Sequence, residues 1–136
     1  MKLVRAVYAL HLLRDPELFE LDWDVPDDLP PLRVPPMIVL PLAENSVKHG
    51  PGAGRRGAIR VRARLEGARK ERLVVRIENP GAYGGPRPGS DGVPTVQRRL
   101  ALAYDGDGGL AISGDATKTT AVLDLPADGP RDGRPL

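Results

Sequence analysis

Three polar side chains able to bind a charged ligand stand close together in the chain: Asn45, Lys48 and His49. At positions i, i+3 and i+4 they share one face of a helix near its C-terminal end, so a carboxamide, an ammonium and an imidazole converge. Apolar Ile38, Val39, Leu42 and Val47 cover the opposite side. Such a cluster suits a polyanion with a metal, because an amide oxygen can ligate Mg²⁺ and lysine supplies a mobile positive charge for phosphate. The same spacing suits an ordinary wet helix end, whose Lys48 and His49 satisfy terminal carbonyls and the dipole. Spacing alone leaves both open.

Two further stretches have ligand-binding chemistry. After a strand over Leu73 to Glu78, the loop Asn79-Pro80-Gly81-Ala82-Tyr83-Gly84-Gly85 places an amide beside glycines that permit close approach. Gly89-Ser90-Asp91-Gly92 precedes a helix, and helix N-termini with glycines attract anions. The competing reading of both is a plain surface turn.

The elements that must position these residues follow from periodicity. Val4, Tyr8 and Leu12, with Val7 and His11 beside them, predict a helix over 2–14 that stops near Asp15-Pro16. Leu21, Trp23 and Val25 alternate with Asp22 and Asp24, which predicts a short strand. Pro35-Pro36 opens the helix carrying Asn45, and Gly50-Pro51 closes it, with Pro41 one turn inside expected to loosen or bend its start. Ile59, Val61, Ala63 and Leu65 alternate with Arg60, Arg62 and Arg64, giving a strand with one core face and one solvated face. Gly67 to Glu71 suits a hairpin into the Leu73 to Glu78 strand. Val96, Leu100 and Ala103 outline a short helix, and Leu110 to Ser113 with Thr119 to Leu125 form a closing pair of strands. The expected fold is α/β: a two-layer sandwich with helices on one face of a mixed, mostly antiparallel sheet.

Composition removes several function classes. A chain of 136 residues buries one substantial core. Aromatics make up only 4%, so that core is aliphatic. Cysteine is absent, which excludes disulfides, thiolate metal sites and a cysteine nucleophile. With only His11 and His49, a histidine-rich metal site is not expected. The formal charge of +2, without a basic stripe interleaved with aromatics, argues against a nucleic-acid partner. The apolar run Ala6 to Leu13 passes directly into Arg14 and Asp15, too short for a membrane span and without a secretory cleavage site, so no membrane contact by this segment is expected.

The order of the pieces is more specific than any one of them. Val34-Pro35-Pro36, then Pro41-Leu42, then Glu44-Asn45-Ser46-Val47-Lys48-His49-Gly50 closely resembles the N box of the autolysin-sensor (LytS-like) branch of sensor histidine kinases, in which Glu-Asn-Ala-x-Lys-His-Gly is typical. Ser46 is the one notable substitution in that core. These kinases belong to the GHKL superfamily, whose Bergerat-type ATPase fold is shared with gyrase and MutL. The resemblance runs in order across residues 2–126. Asn79, Pro80 and Gly81 correspond to a first glycine box that usually carries Asp. Gly92-Val93-Pro94-Thr95-Val96-Gln97-Arg98-Arg99-Leu100 corresponds to the second, with Thr95 for Asn, Gln97 for Arg and Ser90 where a glycine is usual. The closing Gly-Thr corresponds to Lys118-Thr119, without its glycine.

The resemblance implies an ATP-binding catalytic domain presenting Mg-ATP for phosphoryl transfer to a histidine on a separate domain. It implies that Asn45 coordinates Mg²⁺, that Lys48, His49 and Gly50 approach phosphate or ribose, and that Asn79 with Gly81 frames adenine. Gly89 and Gly92 belong to an ATP lid over about 80–94, and Arg99 and Thr119 join the nucleotide contacts. Glu44 either polarises a group near the γ-phosphate or serves as a solvent-facing or docking carboxylate. Residues 1–16 are then a linker helix from a preceding dimerisation region, 17–126 the ATPase domain and 127–136 a disordered tail. A dimerisation and phosphoacceptor domain, a response regulator, a homodimer in the full-length protein and a cytoplasmic location are the implied setting. Neither histidine fits the phosphoacceptor role, so turnover by this chain alone is not expected. The eroded glycine boxes leave one alternative, a nucleotide-poor relative used as an interaction module.

Overall fold

A computed structural model of the chain describes residues 2–26, 36–51, 54, 57–82 and 92–127. The elements in chain order are α1 (Lys2–Arg14), β1 (Glu20–Asp24), α2 (Pro36–Lys48), β2 (Ala58–Glu66), β3 (Arg72–Pro80), α3 (Gly92–Ala103), β4 (Gly109–Gly114) and β5 (Lys118–Pro126). Residues 83–91 of the expected lid, Gly89 included, and the tail beyond 127 lie outside the described residues. Among the described residues no helix is long and apolar enough to cross a membrane.

The five strands form one sheet in the order β1-β2-β3-β5-β4. β1 pairs with β2 in parallel, and every other pairing is antiparallel. A parallel pair needs a crossover, and α2 lies within the connection that supplies it. α2 packs between α1 and α3 and against β3, while α3 also touches β4. The helices thus share one face of the sheet, as the alternation in β2 requires.

That face is the core. Val61 and Ala63 of β2 stand opposite Ile77 and Val75 of β3, which stand opposite Ala121 and Leu123 of β5, and Ile59 is buried on the same face. Each fully buried Val or Ile in such a layer contributes roughly 1.5–3 kcal/mol. Val39, Leu42, Ala43 and Val47 of α2 close over it, with Val96, Leu100 and Ala103 of α3. Pro41 does not interrupt α2: its missing donor costs only the bond to the carbonyl of residue 37, in the first turn. α1 belongs to the same core through Val4 and Tyr8, and Tyr8 meets Phe19 edge-on with centroids 5.9 Å apart.

The opposite face is charged and half-exposed, as the Arg60, Arg62 and Arg64 row predicts. These arginines are more than a solvated face, because the parallel register sets Asp22 opposite Arg60 and Asp24 opposite Arg62. Arg60 lies 3.7 Å from Asp22, Arg62 3.2 Å from Asp24, and Arg64 donates from one nitrogen to both carboxylate oxygens of Asp24 at 2.8 Å. Hydrogen bonding from Arg64 holds the Asp24 carboxyl below its usual range.

One boundary differs from expectation in a way that matters for the site. β3 does not stop at Glu78 but continues through Asn79 and Pro80, paired with Thr119 and Lys118 of β5. A proline argues against a strand because it lacks a donor. Here pairing with β2 ends at Glu78, so on that side no ladder bond is lost.

Candidate functional site

The site is built at the end of β3 where α2 terminates. His49 N donates to Asn45 O at 3.0 Å, closing the last turn of α2, and the chain then reaches buried Gly50. A Cβ at residue 50 would lie 2.7 Å from Ser46 O, 3.0 Å from Asn79 Nδ2 and 3.0 Å from Pro80 O. Glycine is needed here for space, so that the end of α2 can rest directly on the end of β3.

Asn79 points to the helical face, in line with Ile77 and Val75, and is buried. Its Nδ2 donates to Pro80 O at 2.9 Å. Thr119 faces it across the ladder and donates from Oγ1 to Gly81 O at 3.0 Å. Gly81 N in turn donates to Thr117 O at 2.9 Å, with φ at 111°, a conformation that side chains rarely tolerate. Gly50, Asn79, Gly81 and Thr119, distant in sequence, are therefore neighbours.

Asn45 and His49 are half-buried beside this cluster, and Lys48 is exposed. Among the described residues, no side-chain hydrogen bond or ion pair engages the Asn45 amide or the Lys48 ammonium. Glu44 faces away: its Oε2 lies 3.3 Å from His11 Nε2 on α1, and the carboxylate is 58% exposed. Successive helix residues diverge by about 100°, so Glu44 is turned toward α1 and away from the Asn45 direction. Gly92 opens α3, and Arg99 sits half-buried further along it. Among the described residues no hydrogen bond or ion pair joins Arg99 to the Gly50–Asn79 cluster.

Three contacts escaped sequence reasoning. Tyr8 OH of α1 lies 2.9 Å from Ser46 Oγ, the residue between Asn45 and Val47. Gln97, at a position where the resemblance has arginine, donates from Nε2 to Leu110 O at 3.1 Å and so ties α3 to β4. Lys118, where a glycine is usual, lies 3.5 Å from Glu78. No spacing rule reveals these pairs, since each joins elements that only the fold brings together.

The arrangement presents one amide oxygen, one mobile ammonium and a glycine-lined floor. Among the described residues no group of three His, Cys, Asp or Glu side chains could hold a metal by itself. A cation would need oxygens from its ligand as well as from Asn45, the usual situation of Mg²⁺ on phosphates.

Neither a protein-family profile nor a curated protein sequence matches the chain. Solved structures do. Histidine kinase AdeS of Acinetobacter baumannii matches with a TM-score of 0.67 at 13% identity, over 94% of this chain and 63% of that one. Full-length ShkA, in complex with AMPPNP, matches with 0.64 at 20% identity, over 99% of this chain and 31% of that one. The catalytic domain of histidine kinase ThkA, in a nucleotide-free form, matches with 0.63 at 14% identity, over 93% and 90%. This chain therefore spans less than two thirds of AdeS and ShkA but nearly all of the isolated ThkA domain. The mixed five-stranded sheet with its helical layer is the fold of the histidine kinase catalytic domain.

Proposed function

We propose that this chain is the ATP-binding catalytic domain of a sensor histidine kinase of the LytS-like branch, presenting Mg-ATP to a phosphoacceptor histidine on a separate domain. The observation that carries the reading is the seating of Gly50 on Asn79 and Pro80, with Thr119 and Gly81 alongside. It joins the N-box helix to the first glycine box within a fold whose relative ShkA is in complex with AMPPNP. Asn45 would hold Mg²⁺ through its amide oxygen, and Lys48 with His49 would meet phosphate or ribose. Asn79 would accept from the adenine amino group through its Oδ1, its Nδ2 being used on Pro80. Bound Mg²⁺ supplies charge neutralisation at the phosphates, and the protein's share is to orient them.

Calorimetric titration of the chain with AMPPNP in MgCl₂, with Asn45→Ala alongside, tests this. Binding by the wild type and a loss of about tenfold or more in the variant, ~1.4 kcal/mol, are expected. No binding by the wild type would sink the reading. The phosphoacceptor domain, a response regulator and a homodimer are the partners this function requires.

A second reading, an interaction module with turnover lost, is favoured by one observation: Leu10 and Leu13 of α1 are 61% and 78% exposed. Under it, nucleotide leaves the melting temperature unchanged, whereas a clear shift with Mg-ATP counts against it.

A further inference from the structure

Tyr8 and Ser46 form a buried polar pair that the proposed function leaves unused. Tyr8 is fully buried, and Ser46 is nearly so. Ser46 Oγ donates to Ala43 O at 2.6 Å. A hydroxyl has one proton, so with that proton on Ala43 O the phenol must be the donor in the 2.9 Å contact. The result is a directed chain from Tyr8 O–H to Ser46 Oγ, and from Ser46 O–H to Ala43 O. Burial pushes the Tyr8 phenol up to about 12, so it keeps the proton this chain needs.

A second contact from the same helix, His11 to Glu44 at 3.3 Å, lies two residues away on α2. Residues 44 and 46 each sit about 100° from Asn45 around the helix axis, on either side of it. α1 therefore holds α2 at the two positions flanking Asn45, which fixes the rotation of that turn. A rotation of about 10° would move a group at ~6 Å radius by roughly 1 Å. Mg²⁺ demands near-ideal octahedral geometry, so such a displacement is felt by the metal before it is felt by the base. The same turn carries Ser46 O, which a Cβ at residue 50 would meet at 2.7 Å, so this turn also bears on the close seating of Gly50 against Asn79.

We propose that Tyr8 and Ser46 are positioning residues for Asn45, so that the seating of α1 on α2 sets the affinity for a magnesium–nucleotide complex. This rests on the nucleotide-binding reading above.

The test compares the wild type with Tyr8→Phe, Ser46→Ala and the double variant. Each is titrated with AMPPNP in MgCl₂ and again in EDTA, and each is melted. In magnesium every variant binds about tenfold more weakly, while in EDTA all stay within about twofold of the wild type. Ser46→Ala melts lowest because it leaves the buried phenol without an acceptor, and the double variant recovers melting temperature without recovering magnesium-dependent affinity. Variants that bind as tightly as the wild type in magnesium overturn the inference and leave nucleotide binding standing. Equal losses with and without magnesium overturn it too, since they report general loosening. A wild type that binds in neither condition brings down the nucleotide reading and this inference together.

Discussion

At the end of α2, Gly50, Asn79, Thr119 and Gly81 come from three parts of the chain and meet through close contacts. On α3 the residue at a motif position is spent on the fold instead: Gln97 secures Leu110 O. Among the described residues the first region leaves its Asn45 amide and Lys48 ammonium without a side-chain partner, whereas in the second Gln97, a departure from the motif, makes a structural bond. On the function proposed above, nucleotide binding would depend on the α2 end rather than on the α3 end.

Four measurements break or sharpen that contrast. Gly50→Ala has the largest expected effect, because two of its three short contacts are with backbone oxygens that cannot swing aside. It should cost about 1–3 kcal/mol in chemical denaturation and abolish AMPPNP binding, and a variant of unchanged stability would show that the two elements are not in tight contact. Asn79→Asp restores the residue usual in the resembling family, yet here it removes the donor to Pro80 O and sets a carboxylate against that carbonyl. A loss of about 1–2 kcal/mol at neutral pH is expected, shrinking as pH falls toward the ordinary carboxylate value of about 4, because burial beside a carbonyl raises the carboxyl's folded pKa above it. Gln97→Ala should cost ~1 kcal/mol and leave AMPPNP affinity within about twofold; a larger loss of affinity would bring the α3 end into the site.

Arg64→Ala on the outer sheet face has the smallest expected effect, screened by salt. Arg64 lowers the Asp24 carboxyl in the folded state, so the contribution is present above the ordinary carboxylate pKa and is lost as pH falls through the depressed value. The difference between wild type and Arg64→Ala should therefore vanish in acid. A difference that persists there would be packing rather than charge.

The helices and strands were legible because alternating Ile59, Val61 and Ala63 and helically spaced Val4, Tyr8 and Leu12 have periods of their own. The pairing of Arg60 and Arg62 with Asp22 and Asp24 was not, because it depends on the parallel register of β1. The cluster on α2 was legible as a shared helix face, but its partners at Asn79 and Thr119 required the family resemblance. The strand through Pro80 was hidden by a residue that argues against strands. Ser46, the one substitution in its segment, gave no hint of Tyr8, 38 residues away, and only the fold explains why a hydroxyl is useful there.

Trp23 is the only tryptophan among the 136 residues and sits half-buried on β1. The guanidinium of Arg5, on α1, lies 5.6 Å from its ring centroid, within the range of a cation–π contact. Every photon of indole emission from this chain consequently originates at the seam between α1 and the sheet. A change in how that helix is docked alters the polarity and quenching around one ring, giving an intrinsic optical signal for α1 without any added label.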